Sequence, residues 1–185
     1  NRDVAVLDAA AFPRTKLCAG WVTPKVLADL ELSPDAVPGL VELSKMNLHW
    51  KGSKRSLPMP SKQYSIRRSE FDHFLLKRSN VTTLEHRVRK IHHDGDYYII
   101  DDAFRCTYLV GAGGTQCPVK KALFPEVQQS RDRIALAREL EYEPTHPIHP
   151  RCHLWWFYPN SPGYAWYVPK QNAINIGFGY FKHPV

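Results

Sequence analysis

The chain has 185 residues, of which 43% are hydrophobic and 12% aromatic, and its formal net charge is +7. This composition excludes a disordered or fibrous chain, and no apolar run approaches the roughly 20 residues that a membrane-spanning helix needs. The positive charge is scattered along the chain, which argues against a nucleic-acid partner and fits an anionic small ligand such as a dinucleotide.

The start of the chain lacks the basic-then-apolar layout of a secretion signal. We therefore expect a cytoplasmic protein with no integral membrane segment, while peripheral contact with a membrane stays open. The oligomeric state stays open as well.

The first predicted element is a strand at Val4–Asp8, a short apolar run closed by an acid, as is typical of a buried parallel strand. A loop at Pro13–Gly20 and a helix at Thr23–Leu30 follow, because Thr23 is a suitable N-cap and proline a suitable first helical residue. Residues 33–62 contain four prolines and predict an excursion from the α/β core, with strand-like pieces such as Leu43–Trp50.

The middle of the chain mixes helix and strand signals. A helix capped by Ser69 is predicted by apolar residues at helical spacing. Strands are predicted at Val81–Ile91 and Tyr97–Ile100, the second after a turn at Asp94-Gly95. A further strand at Cys106–Val110 ends in a glycine-rich run.

The last third is rich in aromatic and β-branched residues. The segment Arg131–Tyr142 fits neither the helical nor the strand period. Strands are predicted at Cys152–Tyr158, Tyr164–Val168 and Ala173–Phe178, the first two separated by a turn at residues 159–163. The order of elements predicts an α/β (α+β) fold, in which an antiparallel β-sheet is inserted into or appended to parallel strands with helices.

Metal and hydrolase chemistry find little support in the sequence. No Cys-x-x-Cys pair is present, and His146-x-x-His149 lies in a stretch broken by prolines. We therefore expect no metal site. No Gly-x-Ser-x-Gly elbow is present, so serine-hydrolase chemistry is not expected.

Four segments carry a recognisable pattern in a fixed order. The first is the strand ending in Asp8 with the loop FPRTKLCAGW behind it, and the second is RSEFDHFL, which begins at Arg68. The third is YLVGAGGTQCPVKK, which begins at Tyr108; the fourth is YAWYVP, which begins at Tyr164, with GFG after a seven-residue spacer. Together they resemble the geranylgeranyl reductase-like family of FAD-dependent oxidoreductases, which is related to aromatic hydroxylases and flavin halogenases.

The resemblance gives the first segment two roles. Asp8, at a strand tip, would accept the hydroxyls of the adenosine ribose of FAD; its alternative is a solvated turn aspartate. In relatives the cysteine–glycine loop lies beside the flavin ring, which would make Cys18 and Gly20 catalytic-site residues and place Arg14 and Lys16 near the cofactor. The alternative for Cys18, a small buried residue, stays open.

The second and third segments resemble cofactor contacts. Arg68 would hold a phosphate or ribose oxygen with its planar fork, the alternative being a solvated basic pair with its neighbour. Gly111, Gly113 and Gly114 would let the backbone approach the dinucleotide. Gly113 occupies the position of the family's usual aspartate, so the role of that carboxylate is not carried over.

The fourth segment resembles a substrate-pocket motif of the reductases. The pocket would include Tyr164, Trp166, Pro169, Gly177 and Gly179. Strand alternation places Tyr164 and Trp166 on one face. The alternative is an ordinary sheet core.

The resemblance implies an FAD-dependent oxidoreductase of the reductase or dehydrogenase type, acting on an apolar, isoprenoid-like small molecule, with NAD(P)H as a candidate electron donor. Residues 1–35 and 64–125 would form a partial Rossmann-type FAD-binding domain, and residues 36–63 and 126–185 a largely antiparallel substrate-binding sheet. One alternative is a monooxygenase or halogenase of the same superfamily.

A second alternative is a truncated fragment that serves only as a binding or structural module. Neither the family's Gly-x-Gly-x-x-Gly loop nor its later Gly-Asp-Ala segment occurs in the sequence. We therefore expect these 185 residues alone to be inactive and to lack FAD.

Overall fold

The structure is a computed structural model that describes residues 3–50, 52–127, 135–156 and 163–181. The chain forms two compact units. The first unit takes in the described residues of Asn1–Phe12 and Ser79–Ser130, and the second those of Pro13–Arg78 and Arg131–Val185.

The first unit contains two small sheets and a short helix. Its elements are β1 (Ala5–Asp8), β5 (Thr82–Glu85), β6 (Ile91–Asp94), β7 (Tyr97–Ile100), β8 (Phe104–Cys106) and α3 (Pro118–Leu123). Strands β1 and β5 pair in parallel, with Asp8 opposite Glu85. Strands β6, β7 and β8 form an antiparallel meander.

The second unit is built on a seven-stranded sheet with two helices. Its elements are β2 (Trp21–Val22), α1 (Pro24–Asp29), β3 (Val41–Trp50), β4 (Leu57–Ser65), α2 (Arg68–Ser79), β9 (Ala135–Tyr142), β10 (Cys152–Trp156), β11 (Gly163–Pro169) and β12 (Ile174–Phe181). The strand order is β2-β4-β3-β10-β11-β12-β9. Only the β3–β10 pair is parallel in this sheet of described strands; the other pairs are antiparallel.

Two apolar clusters form the core of the second unit. One joins β2, α1 and α2, and its buried members are Val22, Leu27, Val37, Ile66 and Phe71. The other lies on one face of the sheet, and its buried members are Leu43, Cys152, Leu154, Trp166 and Val168. The predicted α/β (α+β) fold class, with a largely antiparallel sheet, is confirmed.

Several predicted elements are present near their predicted positions. The parallel strand at β1 and helix α1 are confirmed, and the Thr23 hydroxyl accepts a hydrogen bond from the Val26 amide at 3.3 Å. Helix α2 begins at Arg68, so Ser69 is its second residue and not its cap. Within Arg131–Tyr142, the segment that fitted neither period, residues 135–142 form strand β9, and residues 131–134 lie outside the described residues. Residues 157–162, with most of the predicted turn at 159–163, lie outside them as well.

The predicted strand Val81–Ile91 is wrong in its second half. Strand β5 ends at Glu85, after which the His86 amide donates to the Asp8 carbonyl at 2.7 Å. The amides of Arg89 and Lys90 donate to the Asp101 carboxylate at 3.0 and 2.6 Å. A carboxylate from another part of the chain thus replaces the strand partner.

The predicted strand Cys106–Val110 is also wrong. Strand β8 ends at Cys106, which pairs with Tyr98 of β7. Strand β7 begins only one residue before Tyr98, directly after the turn at Gly95-Asp96. It therefore offers almost no further backbone with which the chain beyond Cys106 could pair. The apolar run beyond β8 is therefore exposed, with Tyr108 and Val110 at 88% and 86% exposure.

The division into units differs from the predicted division into domains. Residues 13–35 and 64–78, predicted to belong with the FAD-binding part, pack in the second unit. The reason is that β2, α1 and α2 share one apolar cluster beside the sheet. The functional assignment of the two predicted domains stays a prediction.

None of the helices in the described part of the chain has the length and apolar character to cross a membrane.

Candidate functional site

Asp8 lies at the carboxyl end of a parallel strand pair in the first unit. Its side-chain Oδ1 accepts a hydrogen bond from the Ala10 amide at 3.1 Å. Its carbonyl accepts from His86, which follows β5. The carboxyl ends of β1 and β5 thus meet at one edge, the place where open α/β sheets bind ligands.

A cleft of about 540 Å³ with cations and carboxylates in its lining, which we call the charged cleft, opens at this edge. It is lined by Ala9, Glu85, His86, Arg87, Arg89, Lys90, Asp101 and Asp102. Its three Arg and Lys side chains were not predicted as site residues. They follow directly after a strand parallel to β1, and this position in the sequence was the signal that could have identified them.

Asp101 organises the backbone of the charged cleft. Hydrogen bonds from the Lys90 amide and the His86 ring, together with the Arg89 amide, hold the pKa of the Asp101 carboxyl below its ordinary value. Asp101 and Asp102 both have positive φ, 52° and 54°, as the two central residues of the tight turn between β7 and β8. Positive φ is costly for residues other than glycine, and the bonds to Asp101 offset this cost.

The glycines of the loop after β8 are needed for two different reasons, close packing and backbone conformation. A β-carbon added at Gly111 would lie 2.8 Å from Val119 Cβ and 2.9 Å from Cys117 Sγ, and one at Gly113 would lie 3.1 Å from Cys117 Cα. These two glycines permit close packing of the loop on the start of α3. Gly114 has φ +70° and open space around its Cα, so its requirement is conformational.

The cysteine–glycine loop (residues 13–20) of the second unit meets helix α2 at Arg68. Arg68 Nε and Nη2 donate to the two carboxylate oxygens of Asp72 at 2.7 and 2.9 Å. Arg14 Nη1 lies 3.8 Å from the same carboxylate. Asp72 raises the pKa of Arg68; burial opposes this shift, and the Cys18 thiol, within hydrogen-bonding reach, supports it.

This arrangement brings together three predicted site residues: Arg14 and Arg68 share the Asp72 carboxylate, and Cys18 lies within hydrogen-bonding reach of Arg68. Asp72 was not predicted as a site residue; it lies one helical turn further along α2, where the Arg68 guanidinium fork holds it. The predicted role of Arg68 towards a phosphate or ribose oxygen stays a prediction. Lys16 is exposed on the same loop.

Gly20 ends the loop in a confined space. It is buried, its φ is +70°, and its carbonyl accepts a hydrogen bond from the Ile66 amide at 3.0 Å. An added β-carbon would collide with the Ile66 carbonyl and lie 2.8 Å from Lys170 Nζ. Glycine is therefore required here for both conformation and space.

Lys170, directly after β11, was not predicted as a site residue. Its side chain is 1% exposed, and Nζ forms a salt bridge with Glu141 of β9. Nζ also donates to the carbonyl of Cys18 at 3.2 Å. A lysine directly after the tryptophan-containing strand motif is an ordinary surface signal, so only the fold reveals its burial.

The fourth motif places four predicted pocket residues on one face of the sheet, which we call the aromatic face. Trp166 pairs with Gly177, and Tyr164 pairs with Gly179. The Trp166 ring packs over Gly177, and its centroid lies 5.6 Å from that of Tyr164. Trp166 is buried and its indole donates to Asn175 Oδ1 at 2.7 Å, whereas Tyr164 is 40% exposed.

Pro169 does not lie on the aromatic face with the other four predicted pocket residues, and its role in a pocket stays a prediction. Strand alternation turns it to the opposite side from Trp166, and it is buried. Its carbonyl accepts a hydrogen bond from the Ser65 hydroxyl at 2.5 Å. Its contacts join β11 to β4.

No family model matches the sequence. An uncharacterized protein of Methanosarcina barkeri is 30% identical over 190 residues, which are 95% of this chain and 47% of that protein. A menaquinone reductase of Mycobacterium tuberculosis is 24% identical over 217 residues, 97% of this chain and 49% of its own length. The chain spans about half the length of the curated relatives it matches.

Solved structures of flavoenzymes share the fold. The flavin-dependent brominase Bmp2 matches with a TM-score of 0.71 and 18% identity over 97% of this chain and 50% of the brominase. A geranylgeranyl bacteriochlorophyll reductase-like protein of Thermoplasma acidophilum matches with a TM-score of 0.67 and 15% identity, over 94% of this chain and 49% of that one. This chain has the fold of the flavin-dependent oxidoreductases. The resemblance expected from the four motifs is confirmed.

Within this flavin-dependent oxidoreductase fold, the structure brings the cysteine–glycine loop to the aromatic face. Ala19, between Cys18 and Gly20, packs against the apolar cluster that contains Trp166. Two histidines of the metal hypothesis, His149 and His153, lie in a different cluster with His49, in which His153 is 3.0 Å from His49 and 3.4 Å from His149, nitrogen to nitrogen. In the described part of the chain, no group of three or more potential ligands is arranged to hold a metal ion.

Proposed function

We propose that the whole protein is an FAD-dependent oxidoreductase of the reductase or dehydrogenase type, acting on an apolar, isoprenoid-like small molecule. The observation that carries the proposal is the meeting of two distant motifs in the second unit. The cysteine–glycine loop packs against the cluster that contains Trp166 of the aromatic face. Both motifs belong, in the resembled family, to the reaction centre.

The residues of the first unit fit the adenosine diphosphate part of FAD. Asp8 stands at a strand tip, where a carboxylate can accept ribose hydroxyls. Arg87, Arg89 and Lys90 offer the adjoining cleft cations that can pair with phosphates. Three carboxylates share the same lining, and one of them, Asp102, already binds Lys90 at 3.3 Å. FAD, when bound, supplies the electron-transfer chemistry, and the protein supplies binding and orientation.

The aromatic face suits a flat or extended apolar substrate. The rings of Trp156 and Tyr164 are tilted by 37° to each other with centroids 5.2 Å apart, and both residues are about 40% exposed. Beside them, the Trp166 ring covers Gly177, and Gly179 leaves the sheet without a side chain. Aromatic rings beside this glycine offer apolar area with little conformational entropy to lose. The names of the mycobacterial and Thermoplasma relatives, a menaquinone reductase and a geranylgeranyl bacteriochlorophyll reductase-like protein, support an apolar substrate.

The electron donor in this proposal is NAD(P)H. A monooxygenase or halogenase outcome is the second candidate, supported by the similarity to the brominase fold. The two outcomes differ in what the reduced flavin reacts with. A reductase passes its electrons to the substrate without oxygen, whereas a monooxygenase or halogenase consumes oxygen.

Flavin binding and turnover of the full-length protein test the proposal. We expect flavin absorbance after gentle purification, loss of that absorbance on adding NADH or NADPH without oxygen, and its return on adding an isoprenoid quinone. Asp8→Ala should weaken FAD binding about tenfold, because it removes hydrogen bonds to the ribose. Asp94→Ala, an exposed carboxylate of the same unit, is the matched control. Reoxidation by oxygen alone, with an oxygenated product, would favour the second candidate.

A further inference from the structure

Lys170 is buried in a way that lysine rarely is. Its side chain is 1% exposed although it carries a charge and a four-carbon stem. Buried lysines are found almost only where their charge is paired, since leaving water without a partner costs several kcal/mol per ion. Both recorded partners of Lys170 Nζ, the Glu141 carboxylate and the Cys18 carbonyl, belong to the second unit.

The two partners lie on segments far apart in the sequence. Glu141 lies on β9, the edge strand of the sheet beside β12. Cys18 lies in the cysteine–glycine loop, 152 residues before Lys170. The ammonium has three donors in a compact geometry, so it can hold a carboxylate and a carbonyl at once. Lys170 therefore links the loop to the sheet.

Two cations and three carboxyl groups surround the link. Arg67 Nε lies 3.6 Å from Glu141 Oε1, and Arg67 Nη1 lies 2.9 Å from Glu143 Oε1. Two residues before Glu141 on β9, burial raises the pKa of Glu139, and the charge of Glu141 adds to this shift, while a hydrogen bond with Asn175 and the charge of Lys170 oppose it. Lys170 and Arg67 thus face the carboxylates of Glu141 and Glu143, with the Glu139 carboxyl beside them.

The loop has a second attachment two residues further on. The Gly20 carbonyl is held by the Ile66 amide at 3.0 Å, independently of Lys170. Removal of the lysine should therefore free the backbone at Cys18 while Gly20 stays in place. The effect is confined to the part of the loop that carries the thiol.

We propose that Lys170 is a positioning residue that fastens the backbone of the cysteine–glycine loop at Cys18 to strand β9 through Glu141. The inference deepens the proposed function and rests on it for its purpose, because that function places this loop against the flavin ring. A fixed loop keeps the Cys18 side chain and the adjoining backbone in one orientation towards the cofactor.

The alkylation rate of Cys18 in the full-length protein measures how firmly the loop backbone is held at Cys18, and the measurement does not depend on bound flavin. Iodoacetamide labelling, resolved by peptide mass spectrometry, reports each cysteine separately. In Lys170→Met we expect Cys18 to react about tenfold faster, because the loss of a charged hydrogen bond favours local opening. Cys152 serves as the internal reference, since burial raises the pKa of its thiol to about 12.

A matched control and a second variant keep the test decisive. Lys25→Met removes an exposed lysine–carboxylate pair of the same unit and should leave the Cys18 rate unchanged. Lys170→Met leaves Glu141 short of a buried partner and can destabilise the whole unit. The double variant Lys170→Met/Glu141→Gln removes both charges of the pair. Its thermal stability should therefore recover, while the alkylation rate of Cys18 stays high.

The outcomes separate the fastening from the proposed function. A Cys18 rate that returns to the parent value in the stable double variant, or that never rises in Lys170→Met, would overturn the role of Lys170. A faster Cys18 together with a shifted flavin spectrum supports both the fastening and the place of the loop. A faster Cys18 with an unchanged flavin spectrum, or with no flavin bound at all, retains the fastening and counts against the proposed function.

Discussion

The two units build their candidate sites by opposite means. In the first unit, Ile100 and Cys117 are the only buried hydrophobic side chains among the described residues, and the site consists of strand ends, backbone amides, exposed cations and carboxylates. In the second unit a continuous apolar cluster supports the aromatic face, and the site contains a buried ion pair. A charged ligand needs the first kind of surface, and an apolar substrate needs the second.

This contrast determines how each unit should respond to change. Substitutions in the second unit should alter folding first, because its site residues are also packing residues. Substitutions in the first unit should alter ligand affinity with little effect on stability. The following predictions test that difference, from the largest expected effect to the smallest.

Gly20→Ala and Gly114→Ala compare a confined glycine with an open one at the same φ, +70°. Gly20→Ala should destabilise the protein by at least about 3 kcal/mol, because the β-carbon meets the Ile66 carbonyl in addition to the cost of positive φ. Gly114→Ala carries only the conformational cost, about 1 kcal/mol. Urea unfolding of both variants measures the difference, and equal losses would show that the space around Gly20 is not confined.

Gly177→Ala and Gly179→Ala make the same comparison within the aromatic face. A β-carbon at Gly177 collides with the Trp166 ring, and we expect a loss of about 1–3 kcal/mol from overpacking. A β-carbon at Gly179 meets its nearest atoms at 3.5 Å or more, so stability should change by less than about 0.5 kcal/mol. Thermal unfolding checks the pair. If Gly179→Ala nonetheless raises the KM for an apolar substrate, that glycine lies in the pocket.

Arg89→Ala tests the charged cleft of the first unit. We expect about tenfold weaker binding of ADP or FAD, with most of the loss disappearing at high salt because the contact is electrostatic. The melting temperature without ligand should stay within about 2 °C of the parent value. Lys54→Ala, an exposed cation of the second unit, is the control; an equal loss of affinity there would mean that net charge alone attracts the ligand.

Glu139→Gln should produce the smallest effect, and one that depends on pH. The folded state raises the pKa of Glu139, chiefly through burial, so the native protein holds this proton more tightly than the unfolded chain. The parent therefore loses stability as the pH rises above the ordinary carboxyl range, and the neutral variant does not. At pH 7 the variant should melt higher than the parent by up to about 2 °C, and at pH 4 the two should coincide. Glu126→Gln, which changes an exposed carboxylate, should show no such pH-dependent difference in melting temperature.

Local patterns predicted the elements whose stability is local. The helix after Thr23 and the paired strands of the aromatic motif follow from caps and alternation. Alternation could also have separated Pro169 from Trp166, since they differ by an odd number of positions. The same rule that placed Tyr164 and Trp166 together was not extended to the end of the strand.

Long-range pairings account for what the sequence did not reveal. Asp101 accepts hydrogen bonds from the amides of Arg89 and Lys90, which lie 12 and 11 residues before it, and so ends a strand that the apolar pattern extends. Lys170 finds its carbonyl partner 152 residues away. No local period encodes either contact, because both depend on which strands become neighbours.

The most direct test of the central claim is an experimental structure of the full-length protein with FAD bound. The account predicts that the flavin ring lies in van der Waals contact, within about 4 Å, of the loop backbone from Cys18 to Gly20. It also predicts that the aromatic face around Tyr164 and Trp166 opens towards the same ring. A flavin ring bound elsewhere, with Cys18 and Trp166 both out of reach, would contradict the assignment.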